Sequence, residues 1–539
     1  MRFTALRLIP AVAAATAASA LVVSLQAQSA GTTTADVQAG FANPAKWLSV
    51  HGDYTGQRHS PLTQITPANA AQLAPVWTFQ TGGVQGQFEA TPIVIDGVLY
   101  YTGPQNHAWA VDGKTGKEIW HYQRTLVAGL KVCCGPVNRG FAVYGDKLYM
   151  TTLDSHLLAL DMKTGKVVWD IEVADYKMGY ASTPAPLVVK DKLIVGIAGG
   201  EYANRGFLDA YEPATGKRVW RFWTVPAPGE KGSETWPADV LERGGAPTWL
   251  TGTYDPELNT LYWGTGNPNP DWDGDSRPGD NLYAASLVAL DPDKGTLKWH
   301  FQFTPHDTHD WDANQVPVLA DLTINGQARK VVLQANRNGF LYVLDRTNGK
   351  FIAAHAYGNQ NWASGFTPDG KPIELPGHTP TVEGTNTCPD WYGNTNFMSP
   401  SFDKTRGLFF LTVRETCAKF IKKDTPDANV GDRTMGGTVQ PLEPRTGALK
   451  AIDPVTGKEK WAVKYAGPGW AGVLSTASGV VFASDNAGTF MAVDASSGKV
   501  LYSYQTGGNV FAPPTTYTID GKQYVALPSA TTITAFAVR

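Results

Sequence analysis

The chain has 539 residues, with 45 Lys and Arg against 48 Asp and Glu, which gives a formal net charge of −3. Hydrophobic residues make up 42% and aromatic residues 11%, which excludes a disordered chain, because disordered chains lack the aromatic side chains that pack a core. The balanced charge excludes a strongly basic nucleic-acid-binding protein, since no positive excess is available to neutralise phosphates.

Residues 1–30 have the pattern of a secretory signal peptide: Arg2 and Arg7, then an Ala-, Val- and Leu-rich stretch, then small residues that a peptidase could cleave. A membrane anchor is the alternative, but Pro10 interrupts the stretch and its many Ala residues make a weak membrane-spanning helix. We therefore expect residues 31–539 to form a single exported, periplasmic domain without a membrane span, in a compartment that permits disulfide bonds.

One phrase recurs after residue 75. It begins with an apolar residue, which Asp follows in most copies, and continues with a short turn that ends in Gly. In most copies Lys follows this Gly, and an aromatic residue ends the phrase. It occupies residues 111–120, 160–169, 211–220, 290–299, 344–353, 452–461 and 493–502. Asp begins a tight turn by bonding its own backbone, and Gly supplies the positive φ that a bulged turn needs. The flanking runs alternate apolar and polar residues, as half-buried strands do. Each phrase therefore predicts a β-hairpin.

A second strand pair precedes each hairpin, so the repeats predict seven four-stranded units. Residues 512–538 supply three further strands, and residues 75–82 supply the missing fourth. The predicted fold is therefore all-β: an eight-bladed β-propeller with tryptophan-docking repeats, whose last blade is closed by N- and C-terminal strands. Such closure removes exposed sheet edges. An open two-sheet β protein is the alternative.

The repeat explains part of the high Trp count. Six Trp residues occupy one position of the repeat, where each can stack against a neighbouring blade: Trp77, Trp120, Trp169, Trp220, Trp299 and Trp461. Ala353 and Tyr502 occupy the same position in the other two units. We therefore interpret these Trp residues as structural.

The four cysteines fall into two pairs. Cys388 and Cys417 flank strands of the sixth unit, and we expect them to form an ordinary disulfide. Cys133 and Cys134 are adjacent, so they are free thiols, are bound to different partners, or are joined in a ring that closes no chain loop and offers a flat, polarizable surface. The sequence contains no CxxCH motif, so no c-type haem is expected.

With these features, and with KVCCGPVNRG at residues 131–140, the sequence resembles the pyrroloquinoline quinone (PQQ)-dependent alcohol dehydrogenases of the methanol/ethanol group, from about Trp47 to the end. The paired Cys followed five residues later by Arg139 is specific to that group. The resemblance implies oxidation of a small alcohol to an aldehyde or ketone by hydride transfer to PQQ. Electrons would pass to a separate, soluble cytochrome c. The oligomeric state stays open, with a homodimer among the alternatives.

Polar residues at strand ends converge in a propeller's central funnel, and their carboxylate and amide oxygens suit a hard cation. The resemblance implies that Asp310 is the catalytic base and that Arg337 lies beside the quinone carbonyls. It implies four metal ligands: Glu201, Asn267, Asp310 and Asp312. It implies that the Cys133–Cys134 ring and Trp249 cover the two faces of PQQ. Further cofactor contacts would come from Glu89, Arg139, Thr183, Gly199, Gly200, Asn396 and Trp470.

The identity of the expected metal ion depends on Asp312. The resemblance implies an acidic residue at this position in lanthanide-dependent members and a non-acidic one in Ca²⁺-dependent members. The carboxylates of Glu201, Asp310 and Asp312 would neutralise a trivalent ion, whereas two of them suit Ca²⁺. We therefore favour a lanthanide, with Ca²⁺ as the alternative. Asp312 could instead point to solvent or pair with an Arg.

Two departures from the family pattern concern the cofactor pocket. Pro247 stands where the family often has Thr, which removes one expected hydrogen bond, and the Gly–Trp found near the C-terminus of methanol enzymes is absent. Residues 357–395 and 418–445 are rich in Pro, Gly and Asn, and we expect irregular loops that cap the funnel. Their shape decides which alcohol is preferred.

Two other functions are alternatives. A non-catalytic propeller scaffold of the outer-membrane assembly type explains the repeats and the signal peptide, but it leaves Cys133–Cys134 and the acidic cluster unexplained. A quinoprotein for sugars or polyols generally lacks the adjacent cysteines.

Overall fold

The computed structural model describes Met1, residues 31–424 and residues 429–539. Residues 2–30, which carry the predicted signal peptide, lie outside the described residues. The chain divides into two units, Met1–Gly31 and Thr32–Arg539, and the described strands belong to the second. Within the described ranges, no helix is long and apolar enough to cross a membrane.

The described strands form eight sheets of four or five strands and one separate hairpin. We number the sheets 1 to 8. Sheets 1 to 4 comprise Ile93–Ile95, Val98–Gly103, His107–Asp112 and Glu118–Gln123; Ala142–Tyr144, Lys147–Thr151, His156–Asp161 and Val167–Glu172; Leu187–Val189, Lys192–Gly196, Phe207–Tyr211 and Arg218–Trp223; and Thr253–Asp255, Thr260–Gly264, Ser286–Asp291 and Thr296–Gln302.

Sheets 5 to 8 comprise Val318–Ile324, Gln327–Ala335, Phe340–Asp345 and Phe351–Ala356; Thr385–Thr387, Ser401–Asp403, Leu408–Lys422, Gly437–Ile452 and Glu459–Tyr465; His59–Ser60, Leu474–Thr476, Val480–Ser484, Thr489–Asp494 and Val500–Gln505; and Leu73–Gln80, Thr515–Ile519, Lys522–Ser529 and Thr532–Val538. The separate hairpin pairs Ala363–Phe366 with Pro372–Glu374.

Helices are few and short. The α-helix Thr34–Ala39 begins at Thr33 with a reciprocal capping box to Asp36. The described 3₁₀ turns are Gly40–Ala42, Ala70–Gln72, Pro104–Asn106, Tyr176–Met178, Gly200–Tyr202, Ser233–Thr235 and Ala238–Arg243.

The repeated phrase folds as its residue types predict. In sheet 1, Asp112 Oδ1 accepts hydrogen bonds from the backbone N–H groups of Lys114 and Thr115, and Gly116 takes a φ of +73°. The strand pairing shifts register next to this turn, between Ala110 and Val111. An Asp-initiated turn with a glycine at positive φ therefore sets the bulged hairpin of this sheet.

The repeated Trp joins one sheet to the next. Trp120 of sheet 1 donates from Nε1 to Met162 O at 3.0 Å, and its ring lies so close to Gly165 that a Cβ there would be 2.7 Å from it. Four other Trp residues donate in the same way, at 3.0–3.1 Å: Trp77 to Gly113, Trp169 to Pro213, Trp220 to Pro292 and Trp461 to Ala495.

The remaining neighbours complete a cycle of contacts. Trp299 of sheet 4 packs on Gly349 of sheet 5, and the ring of Tyr502 in sheet 7 lies 6.5 Å from that of Phe536 in sheet 8. In sheet 5, where Ala353 holds the Trp position, the ring of His355 covers Gly457 of sheet 6 instead. Because Trp77 of sheet 8 contacts sheet 1, the predicted β-propeller class is confirmed.

Sheet 8 joins both ends of the chain. Leu73–Gln80 pairs antiparallel with Thr532–Val538, and Trp77 lies opposite Ala535. This sheet, which combines an N-terminal strand with three C-terminal strands, is the one predicted from residues 75–82 and 512–538.

Sheet 6 differs from the expectation of irregular loops. Its two long strands, Leu408–Lys422 and Gly437–Ile452, pair along almost their whole length, with a register shift between Glu415 and Cys417. Part of residues 418–445 is therefore regular β-ribbon. Pro441 and Pro444 concealed this ribbon in the sequence, because proline lacks an N–H group and normally argues against a strand. The ribbon nevertheless contains both. The predicted Cys388–Cys417 disulfide joins this ribbon to the preceding loop.

Candidate active site

The predicted site residues share a position within their sheets. Some precede the first strand of a sheet, such as Thr183 before Leu187 and Trp249 before Thr253, and others follow the second, such as Arg337 after Ala335. In sheets 3, 4 and 5, which carry these residues, the first two strands are antiparallel, so the start of one and the end of the next lie at the same edge. The topology therefore brings these side chains to one end of the propeller.

A cavity of about 500 Å³ opens at this end. Thirteen of the fifteen residues predicted to bind cofactor or metal line it: Glu89, Cys133, Cys134, Arg139, Thr183, Gly199, Glu201, Trp249, Asp310, Asp312, Arg337, Asn396 and Trp470. Gly200 and Asn267 lie just behind the wall, where a Cβ on Gly200 would come within 2.9 Å of Asn267 Oδ1.

The adjacent cysteines form a disulfide with each other, which resolves the alternatives that the sequence left open. The ring lies against the acidic part of the cavity, with Cys134 Sγ 3.8 Å from Glu201 Oε1. The indole of Trp249 also lines the cavity, and its Nε1–H donates to Asp312 Oδ2 at 2.8 Å. A flat disulfide and a fixed indole therefore contribute to one cavity.

Arg139 organises one end of the cavity. It pairs with Glu89 at 2.8 Å and donates to Thr183 Oγ1 at 2.7 Å, and its guanidinium lies 4.7 Å from the centre of the Trp249 ring. Burial raises the pKa of Glu89, and the Arg139 cation opposes that rise. The Nε atom of Arg139 is buried without a hydrogen-bond partner in the described part of the chain.

Asp310, Asp312 and Arg337 form the charged centre of the site. Arg337 contacts Asp310 Oδ1 at 3.2 Å and Asp312 Oδ2 at 2.9 Å, and it also donates to Asp310 O at 2.6 Å. Burial raises the pKa of Asp310 well above its usual value; Arg337 lowers it, and the neighbouring carboxylates raise it further. Of the two alternatives weighed for Asp312, exposure to solvent is excluded, because the residue is 3% exposed and pairs with Arg337.

Glu201 and Asn267 lie beside that centre. The backbone N–H of Asn267 donates to Asp312 Oδ1 at 2.5 Å. Glu201 Oε2 is buried and, in the described ranges, has no hydrogen-bond partner. Burial raises the pKa of Glu201 to about 7, and the Asp312 carboxylate adds to that rise. Such a set of crowded, under-satisfied carboxylates favours the binding of a cation.

The two glycines of the site are required by packing against protein atoms. Gly199 has a φ of +114°, and a Cβ there would lie 2.2 Å from Gly179 O. A Cβ on Gly200 would meet the Pro247 ring at 2.7 Å. The close approach that these glycines allow is therefore one between neighbouring loops.

Sequence reasoning missed Asp271. It is completely buried, and its Oδ1 accepts a hydrogen bond from Asn267 Nδ2 at 2.8 Å. A signal was present, because Asp271 follows the predicted ligand by four residues in the same Pro-rich loop.

The cap side chains were also missed, although the sequence indicated that residues 357–395 and 418–445 cover the funnel. Trp391, Tyr392, Phe397, Arg433 and Met435 line the cavity. Residues 357–395 and 418–445 carry no periodic pattern that identifies which side chains face inward.

Residues 431–436 tie together the two loops that carry Glu201 and Asn267. Thr434 N donates to Glu201 O at 2.8 Å, and Asn269 Nδ2 donates to Thr434 O at 2.9 Å. Trp272 N donates to Met435 O at 2.9 Å. The cap is therefore part of the framework that positions the acidic cluster.

Comparison with known proteins places this cavity in a family context. The family described as "Glucose/ethanol/alcohol dehydrogenase, beta-propeller domain" matches residues 47–357 and 445–525. The chain is 39% identical to the quinoprotein alcohol dehydrogenase PedH of Pseudomonas putida, covering 90% of this chain and 86% of that protein. It is 37% identical to a 1-butanol dehydrogenase (cytochrome c) of Thauera butanivorans, covering 90% and 74%.

The fold is similar to that of a europium-containing methanol dehydrogenase, with a TM-score of 0.88 and 30% identity. The similarity covers 93% of this chain and all of the other. The family match omits residues 358–444, which include part of the cap.

Proposed function

The chain belongs to the PQQ-dependent alcohol dehydrogenase family, and we propose that it oxidises alcohols in the periplasm with PQQ and a lanthanide ion held in the 500 Å³ cavity. The observation that carries the proposal is the convergence of the Cys133–Cys134 ring, Trp249 and the acidic cluster on that one cavity.

The cavity fits a planar quinone with several carboxylates. Its disulfide ring and the Trp249 indole are suited to contact flat faces, and its polar wall contains the guanidinium groups of Arg139 and Arg337. The Nε atoms of both arginines are buried without hydrogen-bond partners in the described ranges, so they are available to an acceptor-rich ligand. Arg139 and Thr183 would bind a carboxylate of PQQ, and Arg337 would donate to its quinone oxygens.

The donor set also fits a hard cation. Glu201, Asp310 and Asp312 offer carboxylate oxygens, Asn267 offers an amide oxygen, and Glu201 Oε2 is buried without a partner among the described residues. Three carboxylates carry enough charge for a trivalent ion. The structural similarity to a europium-containing enzyme supports a lanthanide, and Ca²⁺ is the second candidate.

The bound groups would supply a hydride acceptor and a Lewis acid that polarises it. Asp310 would accept the proton of the alcohol's hydroxyl group as a hydride leaves the carbon that bears this group. A primary alcohol would then give an aldehyde and a secondary alcohol a ketone. Arg337, already within 3.2 Å of Asp310, would stabilise the negative charge that develops on the accepting oxygen.

The electron acceptor would be a separate soluble cytochrome c. The sequence has no CxxCH motif, and a relative at 37% identity is named "1-butanol dehydrogenase (cytochrome c)". The signal-peptide pattern of residues 1–30 supports a periplasmic location.

The scaffold alternative is not favoured, because the relatives at 36–40% identity are quinoprotein alcohol dehydrogenases and because a scaffold needs no acidic cavity. The alternative of sugar or polyol substrates is disfavoured by the Cys133–Cys134 ring.

Spectroscopy of the protein reconstituted with PQQ and La³⁺ tests this proposal. We expect one PQQ per chain to remain bound after gel filtration, with a quinone absorbance band that Cys133→Ser together with Cys134→Ser weakens. A matched control, Cys388→Ser with Cys417→Ser, removes the other disulfide and should leave PQQ binding intact. Loss of all quinone from the wild-type protein would contradict the proposal.

A further inference from the structure

The metal ligand proposed at Asn267 has a side-chain partner that fixes its orientation. Asn267 Nδ2 donates to Asp271 Oδ1 at 2.8 Å and, less closely, to Pro268 O at 3.4 Å. A carboxylate accepts hydrogen bonds and does not donate them, so the NH₂ end of the amide is held on this side. The Oδ1 end then lies near Gly200, beside the Glu201 loop. That orientation presents an oxygen to a cation.

Asp271 is itself held rigidly. Arg277, which is fully buried, donates from Nε to Pro270 O at 3.0 Å and from Nη2 to Asp307 O at 2.6 Å. The guanidinium therefore fastens the backbone just before Asp271 to the segment that leads into Asp310. The Asp271 carboxylate thus has little freedom to leave Asn267.

Asp271 also places a fourth carboxyl group beside the acidic cluster. It is 0% exposed, its Oδ2 atom has no hydrogen-bond partner, and no salt bridge to it occurs in the described part of the chain. Arg337, by contrast, is paired with Asp310 and Asp312. Among the described residues, the hydrogen bond from Asn267, the proposed metal ligand, is the one that the Asp271 carboxyl group accepts, and a cation bound beside it would favour its ionised form.

We propose that Asp271 is a positioning residue for the metal centre: it locks the Asn267 amide with its oxygen toward the ion and, as a fourth carboxylate, favours a trivalent over a divalent cation. This inference rests on the metal site proposed above. The electrostatic part follows from Coulomb's law, because the attraction between a fixed charge and an ion grows with the charge of the ion. Outer-sphere partners of this kind tune metal affinity in other proteins.

Two substitutions separate the two effects. Asp271→Asn keeps an oxygen that can accept from Asn267 but removes the charge, whereas Asp271→Ala removes both. Asp275→Asn is the matched control, because Asp275 lies in the same loop, is largely exposed, and pairs with Lys422 away from the cavity. Thermal unfolding of each variant, without metal, shows whether the fold is intact.

The measurement is the affinity of PQQ-loaded, metal-free protein for La³⁺ and for Ca²⁺ by calorimetry, with Tb³⁺ luminescence as a second readout. For Asp271→Asn we expect La³⁺ binding to weaken roughly 100-fold and Ca²⁺ binding about 20-fold. The change in binding free energy is proportional to the charge of the ion, which is 3+ for La³⁺ and 2+ for Ca²⁺. Asp271→Ala should weaken both further, and Asp275→Asn should change neither.

A folded Asp271→Asn variant whose La³⁺-to-Ca²⁺ affinity ratio stays within about twofold of wild type would overturn the electrostatic part. Equal affinities in Asp271→Ala and Asp271→Asn would overturn the positioning part. If the wild-type protein bound neither ion, the proposed metal site would fail instead, so the two failures are distinguishable.

Discussion

Trp249 and Asp312 are joined by a hydrogen bond of 2.8 Å from the indole Nε1–H to a carboxylate oxygen. One residue is proposed to cover a face of the quinone and the other to bind the metal, so this bond couples the two parts of the site. It also places Trp249 in a fixed orientation, with Arg139 4.7 Å from its ring centre.

Trp249→Phe tests this coupling. The variant keeps an aromatic face but cannot donate to Asp312, so we expect PQQ to remain bound while La³⁺ binding weakens roughly tenfold, the effect of losing one hydrogen bond to a charged group. Calorimetry with PQQ-loaded protein measures both. La³⁺ affinity equal to that of wild type would show that the bond does not influence the metal site.

Asp312→Asn tests the choice of ion. It removes one carboxylate charge while preserving the size of the side chain. We expect turnover with La³⁺ to fall about 100-fold or more and turnover with Ca²⁺ to change much less, because two carboxylates suit a divalent ion. Steady-state rates with each metal, at saturating PQQ, give the comparison. A proportional loss with both ions would contradict a role for Asp312 in metal choice.

Trp120→Ala tests the tryptophan contacts between sheets. Trp120 is 8% exposed, donates to Met162 O and covers Gly165, so we expect the free energy of unfolding to fall by about 3–5 kcal/mol. Denaturant unfolding measures the loss. Because Trp120 lies outside the cavity lining, PQQ affinity of the folded variant should be unchanged. A loss below about 1 kcal/mol would mean that this Trp contributes little to sheet docking.

His51 predicts a pH dependence of stability. It is buried, its Nε2–H donates to Thr251 O at 3.2 Å, and burial, with a smaller contribution from the Arg58 cation, lowers its pKa to about 4. The unfolded chain protonates His51 below about pH 6.5, whereas the folded protein does not. The associated stability is therefore fully present above pH 6.5 and is lost as the pH falls toward 4.

His51→Asn isolates this contribution. Between pH 7 and pH 5 the free energy of unfolding should fall by about 2 kcal/mol more in the wild-type protein than in the variant. The reason is that uptake of one proton on unfolding lowers this free energy by about 1.4 kcal/mol per pH unit below the pKa of the unfolded chain. Denaturant unfolding at the two pH values provides the comparison, and parallel losses in both proteins would refute it.

The repeats made most of the fold predictable. An Asp-initiated turn with a positive-φ glycine is a local property, so residues 111–120 identify a hairpin without any tertiary information. Sheet 8 was also predictable. The C-terminal run has three strands, and Trp77 identifies residues 75–82 as the fourth. The ribbon of sheet 6 was not predictable, since its prolines conceal the strand pattern and its pairing joins residues as far apart in sequence as Phe409 and Ile452.

The site was predictable where a residue type identified it, and less so where only packing did. Adjacent cysteines and the Asp310/Asp312 pair are rare enough to attract attention in sequence alone. Asp271 gives only a weaker signal, its position four residues after Asn267, because an Asp in a Pro-rich loop is usually solvated; burial against Asn267 is what distinguishes it. The cap residues, such as Met435, depend on long-range contacts with the Glu201 and Asn267 loops.

The most direct test of the central claim is alcohol-dependent reduction of an artificial electron acceptor by protein reconstituted with PQQ and La³⁺, with Asp310→Asn measured in parallel. We predict turnover of primary alcohols by the wild-type protein. The variant should keep bound PQQ but lose at least about 100-fold in kcat, because the proton acceptor is gone. Undiminished turnover by a PQQ-loaded Asp310→Asn variant, or no turnover by loaded wild-type protein across an alcohol panel with either La³⁺ or Ca²⁺, would contradict the account.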